Sequence, residues 1–195
     1  MSTSPILVLA VGNQLMRDEG VGPRVAAELW SHYDIPDSVE VMDAGTLGLG
    51  MLHVLRDRAY VLIVDAIDGT GHPAGTVVRT SPADFAPNQI LHSLHDVRLV
   101  DVLQAAELMG VSPETECVGV QIEDISPPDF SVGLTPAVEA AVPRAVAATL
   151  YLLAERASDV EPLAGPEHDA FTTEVDAALK DMRRRLGDPE AEPGS

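Results

Sequence analysis

The chain has 195 residues, a length that suits one domain with a sizeable core. Its 12 basic and 31 acidic residues give a formal charge of −19, which disfavours nucleic acid and anionic membrane surfaces and favours cations or a partner with a basic segment. The start, MSTSPILVLAVG, has no basic leader region, no run of about 18 apolar residues stands out as a membrane span, and the single cysteine, Cys117, forms no internal disulfide. A cytoplasmic location is expected.

The first predicted element is a buried strand over 6–12, too apolar to alternate, followed by a helix over 21–31 with Val21, Val25, Ala26 and Leu29 on one face. A second strand is predicted at 39–44 and a short helix at roughly 49–57. YVLIVDAI (60–67) is the most hydrophobic strand and reads as central. After the glycines of 69–75 come a strand at 75–80, a loop marked by Pro82 and Pro87, a helix at about 95–109 and a strand at 116–122. Thr135-Pro136 starts a helix to about 155, with a kink or restart at Pro143. The alternation predicts a three-layer α/β sandwich, with a twisted, mostly parallel central sheet and helices on both faces. Residues 1–155 form this body. Residues 156–195 read as an acidic, Pro/Gly-rich tail with a short amphipathic helix at 173–186, either docked or partner-binding.

Open α/β sheets bind ligands beyond the carboxyl ends of their strands. The sequence places Asn13, Asp18 and Glu19 after the first strand, Asp43 after the second, and Asp65 and Asp68 after the third. His92, His95 and Asp96 precede the helix that follows the fourth. Carboxylates and an imidazole gathered on one sheet edge suit a divalent metal such as nickel, zinc or iron. Each residue also has a structural reading. Asp18 and Glu19 suit a helix N-terminus, Asp43 and Asp68 suit turns, His95 suits a helix cap, and His92 the loop surface. Cys117 suits the core. Asp65 closes an apolar strand, where a buried carboxylate requires a partner. The loop GNQLMRDEGVG has no GxGxxG spacing and no following lysine, which counts against dinucleotide binding.

The pattern G-N-x-L-x-x-D-D/E-G-x-G, present as Gly12 to Gly22, resembles the signature of the hydrogenase maturation proteases. DAGTLG (43–48), VLIVDAID (61–68), SLHDVRLVDVL (93–103) and VGLTPAVE (132–139) match in the same order, so the resemblance covers about residues 5–152. It implies an endopeptidase that removes a C-terminal extension from the large-subunit precursor of a nickel-iron hydrogenase, with nickel already in place in the precursor. It also implies Glu19, Asp65 and His95 as the groups that contact nickel, with Asp18 kept at the turn. Asp43 is a candidate orienter or water-activating acid beside Glu19 and Asp65. Catalysis is expected to be either aspartic-type, with paired carboxylates as base and acid, or metal-assisted. A non-catalytic, nickel-dependent escort of the large subunit is the alternative. Two departures from the family pattern are Ile122, where proline is usual, and Arg98, where a small residue is common.

Overall fold

In the computed structural model, which describes residues 5–45, 50–81, 99–123, 130–156, 160–163 and 166–187, two buried and mainly apolar strands form the centre of the sheet. They are β1 (Ile6–Val11) and β4 (Tyr60–Ile67), buried along their whole length. A strand that is apolar on both sides requires a helical layer on each face. β3 (Val39–Gly45) lies outside β1, and β6 (Glu114–Gln121) lies beyond β4. β5 (Val77–Thr80) closes the edge, giving the order β3-β1-β4-β6-β5. The first four strands run parallel and β5 is antiparallel to β6. All carboxyl ends of the parallel strands therefore meet at one edge.

Side chains alternate between two cores. Ile6, Val8, Leu62 and Val64 pack against Val21, Val25 and Leu29 of α1 (Val21–His32) and against Ala145, Val146 and Leu153 of α5 (Val142–Ala154). Leu7, Leu9, Val61 and Ile63 face the other way. They meet Met51 and Leu55 of α2 (Met51–Leu55) and Val102 and Ala106 of α3 (Leu99–Leu108). Each such fully buried aliphatic side chain contributes about 1.5–3 kcal/mol relative to exposure. The result is the three-layer sandwich that the alternation of elements predicts.

The helix expected from 136 to 155 is two helices. α4 (Pro136–Glu139) stops and α5 restarts with Pro143 in its first turn, where the missing N–H has no intrahelical role. Pro136–Ala154 is long and apolar enough by composition to cross a membrane, but most of it is buried within the fold. Its apolarity is spent on the core that α5 shares with α1 and the sheet.

The C-terminal segment differs most from expectation. β2 (Tyr33–Asp34) and β7 (Glu161–Pro162) make a two-stranded antiparallel sheet, too short to leave a periodic signal. It leads into α6 (Pro166–Leu186), which begins seven residues before the predicted start at 173. Val175 and Thr172 are buried, the Phe171 ring stacks on His32 with centroids 4.6 Å apart, and Ala178, Leu179 and Met182 pack on the α1–α5 core. The described part of the tail is thus docked on the body. Val175→Asp places an unpaired charge in that seam. It should lower unfolding stability by about 3 kcal/mol or more, read by denaturant titration.

Candidate active site at the ends of β1 and β4

The site begins with two close approaches that only glycine allows. Gly12, directly after β1, has φ +141°, and a Cβ there would sit 1.9 Å from the Glu19 carbonyl oxygen. That carbonyl accepts the Asn13 N–H at 3.1 Å, while Asn13 Oδ1 accepts the Leu15 N–H at 3.0 Å. The loop is thereby folded back on itself. At Gly22, in the first turn of α1, a Cβ would lie 2.2 Å from the Val11 carbonyl oxygen and 2.6 Å from that of Val64. The start of α1 is seated on the ends of β1 and β4, one residue short of Asp65.

Between these glycines runs a single 3-10 turn, Arg17–Gly20, holding Asp18 and Glu19. Consecutive side chains on such a turn diverge by about 120°, and the two acids have opposite fates. Asp18 is buried with both oxygens used. Oδ1 accepts the Thr135 N–H at 2.6 Å and Oδ2 accepts the Thr135 hydroxyl at 2.9 Å. Thr135 is the cap residue of α4, so Asp18 ties the acid loop to the start of a distant helix. The Arg17 N–H to Ser131 oxygen bond at 2.7 Å and the Ser131 N–H to Leu15 oxygen bond at 2.9 Å strengthen the same seam.

Glu19 is 3% exposed, and neither of its carboxylate oxygens has a hydrogen-bond partner among the described residues. Burial pushes its pKa up to about 7. Asp65, 5% exposed, is held well above the usual carboxylate range by burial, opposed by a 2.8 Å bond from the Ala66 N–H and reinforced by the negative charge of Glu19. For both acids burial is the main cause of the upward shift, and the Glu19 charge adds a smaller push on Asp65. Glu116, near the opposite end of the sheet, provides a contrast. Burial alone would raise it, but hydrogen bonds from Tyr60 and Arg79 and the charges of Arg79 and Arg156 bring it below the ordinary value. Glu116 is partnered; Glu19 has no hydrogen-bond partner among the described residues.

Asp43 is exposed at the end of β3. Its Oδ1 accepts the Gly45 N–H at 2.8 Å in an Asx-type turn, and its Oδ2 accepts Gln14 Nε2 at 3.4 Å. β1 lies between its strand and that of Asp65. Asp68 serves its turn, accepting the Gly69 N–H at 2.6 Å and Gln121 Nε2 at 3.3 Å. Cys117 is fully buried, and its thiol is pushed up by burial and then by the Asp65 charge, which suits a core residue and not a nucleophile. Ile122 donates its N–H to the Ile67 oxygen at 2.9 Å, extending the ladder where proline could not. His92, His95, Asp96 and Arg98 lie outside the described residues. The helix that follows them, α3, packs on the sheet face of Val61, Ile63 and Ile67, the face that strand alternation assigns to Asp65. Among the described residues no three His, Cys, Asp or Glu side chains gather in a metal-binding cluster. The bare, buried oxygens of Glu19 beside Asp65 nevertheless form a donor set suited to a divalent cation once a further ligand joins them. Thr135 and Gln121 carry polar roles that the sequence pattern does not announce; each is seen only through its partner.

Fold and site define an α/β protein with two buried carboxylates at the strand ends. A sequence-family match to hydrogenase maturation protease spans residues 23–151. The chain is 38% identical over 162 residues to the hydrogenase 2 maturation protease of Escherichia coli K12, covering 80% of this chain and 95% of the relative. It is 32% identical over 184 residues to the hydrogenase expression/formation protein HupD of Bradyrhizobium diazoefficiens, covering 91% and 94%. The solved structure of the hydrogenase maturating endopeptidase HybD from E. coli superposes with a TM-score of 0.70 at 37% identity, covering 80% of this chain and 96% of that one. This chain belongs to the hydrogenase maturation protease family.

Two consequences are measurable. Unfolded Glu19 ionises near 4.5 and folded Glu19 near 7, so the folded state holds more protons in between and stability falls as pH rises through that window. Glu19→Gln should therefore gain on the order of 2 kcal/mol over the parent at pH 8 and nothing at pH 4, measured by calorimetric melts. Asp18→Ala leaves the Thr135 donors unpaired and should cost about 1–3 kcal/mol at pH 7, with faster hydrogen exchange at the Thr135 amide.

Proposed function

We propose that this chain is an endopeptidase that removes the C-terminal extension from the nickel-loaded large-subunit precursor of a nickel-iron hydrogenase. The observation that carries the reading is the buried, unpartnered carboxylate of Glu19 beside Asp65. Family membership supplies the reaction class, and the two acids supply a reason for a metal-bearing substrate. A buried carboxylate with no partner among the described residues would be satisfied by an arriving cation. Glu19, Asp65 and, on the family resemblance, His95 are the proposed contacts to the precursor's nickel, which belongs to the substrate.

Hydrolysis adds water across one peptide bond and delivers a proton to the leaving amine. Glu19, with a pKa pushed up to about 7, is placed to take a proton from water and return it to the amine. Asp65 holds the second carboxylate of the pair, and Asp43 is the further acid at the sheet edge proposed to orient the incoming chain or the water. An aspartic-type route is favoured by the electrostatic coupling of Glu19 and Asp65. A metal-assisted route is favoured by the bare oxygens of Glu19. The escort alternative uses the same contacts without cleavage.

Intact-mass spectrometry of the nickel-loaded precursor from the same organism, incubated with this protein, tests the reading. A mass loss equal to the extension is expected. Glu19→Ala and Asp65→Ala should each reduce processing by about 10³-fold or more. Partial activity in Asp65→Asn would assign Asp65 to recognition, and loss equal to that of Asp65→Ala would assign it to the chemistry. An uncut precursor that co-purifies with the protein would establish the escort.

A further inference from the structure

On the flank of α1, beside the acid loop, lies a cavity of about 200 Å³. Gly20, the residue after Glu19, forms part of its wall, with Pro23, Ala27, Val132 and Leu134 as apolar lining and Arg17 as a cationic side. The other arginine in the wall, Arg24, is engaged with Glu28 at 2.7 Å and, at 3.0 Å, with Glu139, an acid that also lines the cavity. Arg17 is exposed and makes no ion pair with any described residue. Its backbone is held at φ 55°, a conformation uncommon for residues other than glycine, and is pinned there by its N–H bond to Ser131. Leu15, Phe130 and Val132 stand 53%, 79% and 79% exposed around that same Ser131 seam. Large apolar side chains clustered in water mark a surface that is covered by something else.

We propose that this cavity is a subsite for the extension of the precursor: an apolar side chain enters between Pro23, Ala27, Val132 and Leu134, and a neighbouring carboxylate pairs with Arg17. The inference rests on the function proposed above and names where that substrate is gripped. Charge argues for the occupant. In a chain of net charge −19, a guanidinium that has no ion pair among the described residues, beside a mainly apolar hole, selects an apolar segment that also carries a negative group. Gly20 in the cavity wall directly follows Glu19 in the chain, while the Glu19 and Asp65 side chains themselves do not line the cavity. The pairing carboxylate comes from the end of the chain or from an acidic side chain.

The probe is a fluorescently labelled synthetic peptide with the sequence of the precursor's extension, made as free acid and as C-terminal amide. Its binding to the full-length protein is read by anisotropy. Arg17→Glu should weaken binding about tenfold or more, Arg17→Lys less, and Val132→Asp about tenfold. In the processing assay the same variants should raise KM with kcat kept. Amidation that mimics Arg17→Glu identifies the chain end as the carboxylate; an amide that binds like the free acid identifies an acidic side chain. No binding, or affinities within twofold of the parent in both Arg17→Glu and Val132→Asp, overturns the proposal. A concentration-dependent dimer abolished by Val132→Asp, seen by sedimentation, also overturns it by giving the surface to a second copy. Peptide binding that depends on Arg17, with the precursor left uncut by the parent protein, keeps the subsite and removes the peptidase reading. A precursor cut with unchanged KM in Arg17→Glu does the reverse.

Discussion

The contact between Gly22 and the ends of β1 and β4 is the constraint on which the site depends. A helix can approach two strand termini that closely only if its own first turn lacks a Cβ at the point of contact. The approach removes water from the end of β4 and leaves only one short turn of chain between Gly12 and Gly22 in which to place side chains. Both acids of the turn are buried as a result. Their different chemistry then follows from what each meets.

Asp18 meets donors and becomes part of the scaffold. Its bonds to Thr135 join the loop after β1 to the segment before α4, so two stretches more than a hundred residues apart form one rim. Glu19 meets an apolar strand end and another acid. A carboxylate in that position is poor for folding, since it is dehydrated and repelled with nothing in return. Glu116 shows that the same protein can satisfy a half-hidden carboxylate thoroughly when the role is structural. Unfavourable placement of a titratable group that the fold retains is the observation on which the proposed function rests.

Much of this was legible in sequence. The apolar runs at 6–12 and 60–67 announce central strands, whereas the close approaches at Gly12 and Gly22 appear only in the structure. What sequence did not distinguish was which acid faced inward on residue chemistry alone, because both carry the same charge and sit side by side; the motif resemblance was needed to favour Glu19. The Asp18–Thr135 bond is non-local and leaves no periodic trace. α6 was underread because its first turns, rich in polar residues, dilute the apolar stripe that Val175, Ala178, Leu179 and Met182 make plain. β2 and β7, two residues each, fall below any periodic signal.

The opposed directions of Asp18 and Glu19 bear on what length the loop tolerates. Surface loops commonly accept an extra residue, because the backbone absorbs it as a local bulge. Here both ends are fixed by glycine contacts, and rotation of the turn decides which acid faces which neighbour. One residue added between Asn13 and Asp18, with the turn kept in place, would bring Asp18 to the position of Glu19 and Glu19 to that of Gly20. The charge, composition and hydropathy of the loop would barely change, while Thr135 would lose the carboxylate that clamps it.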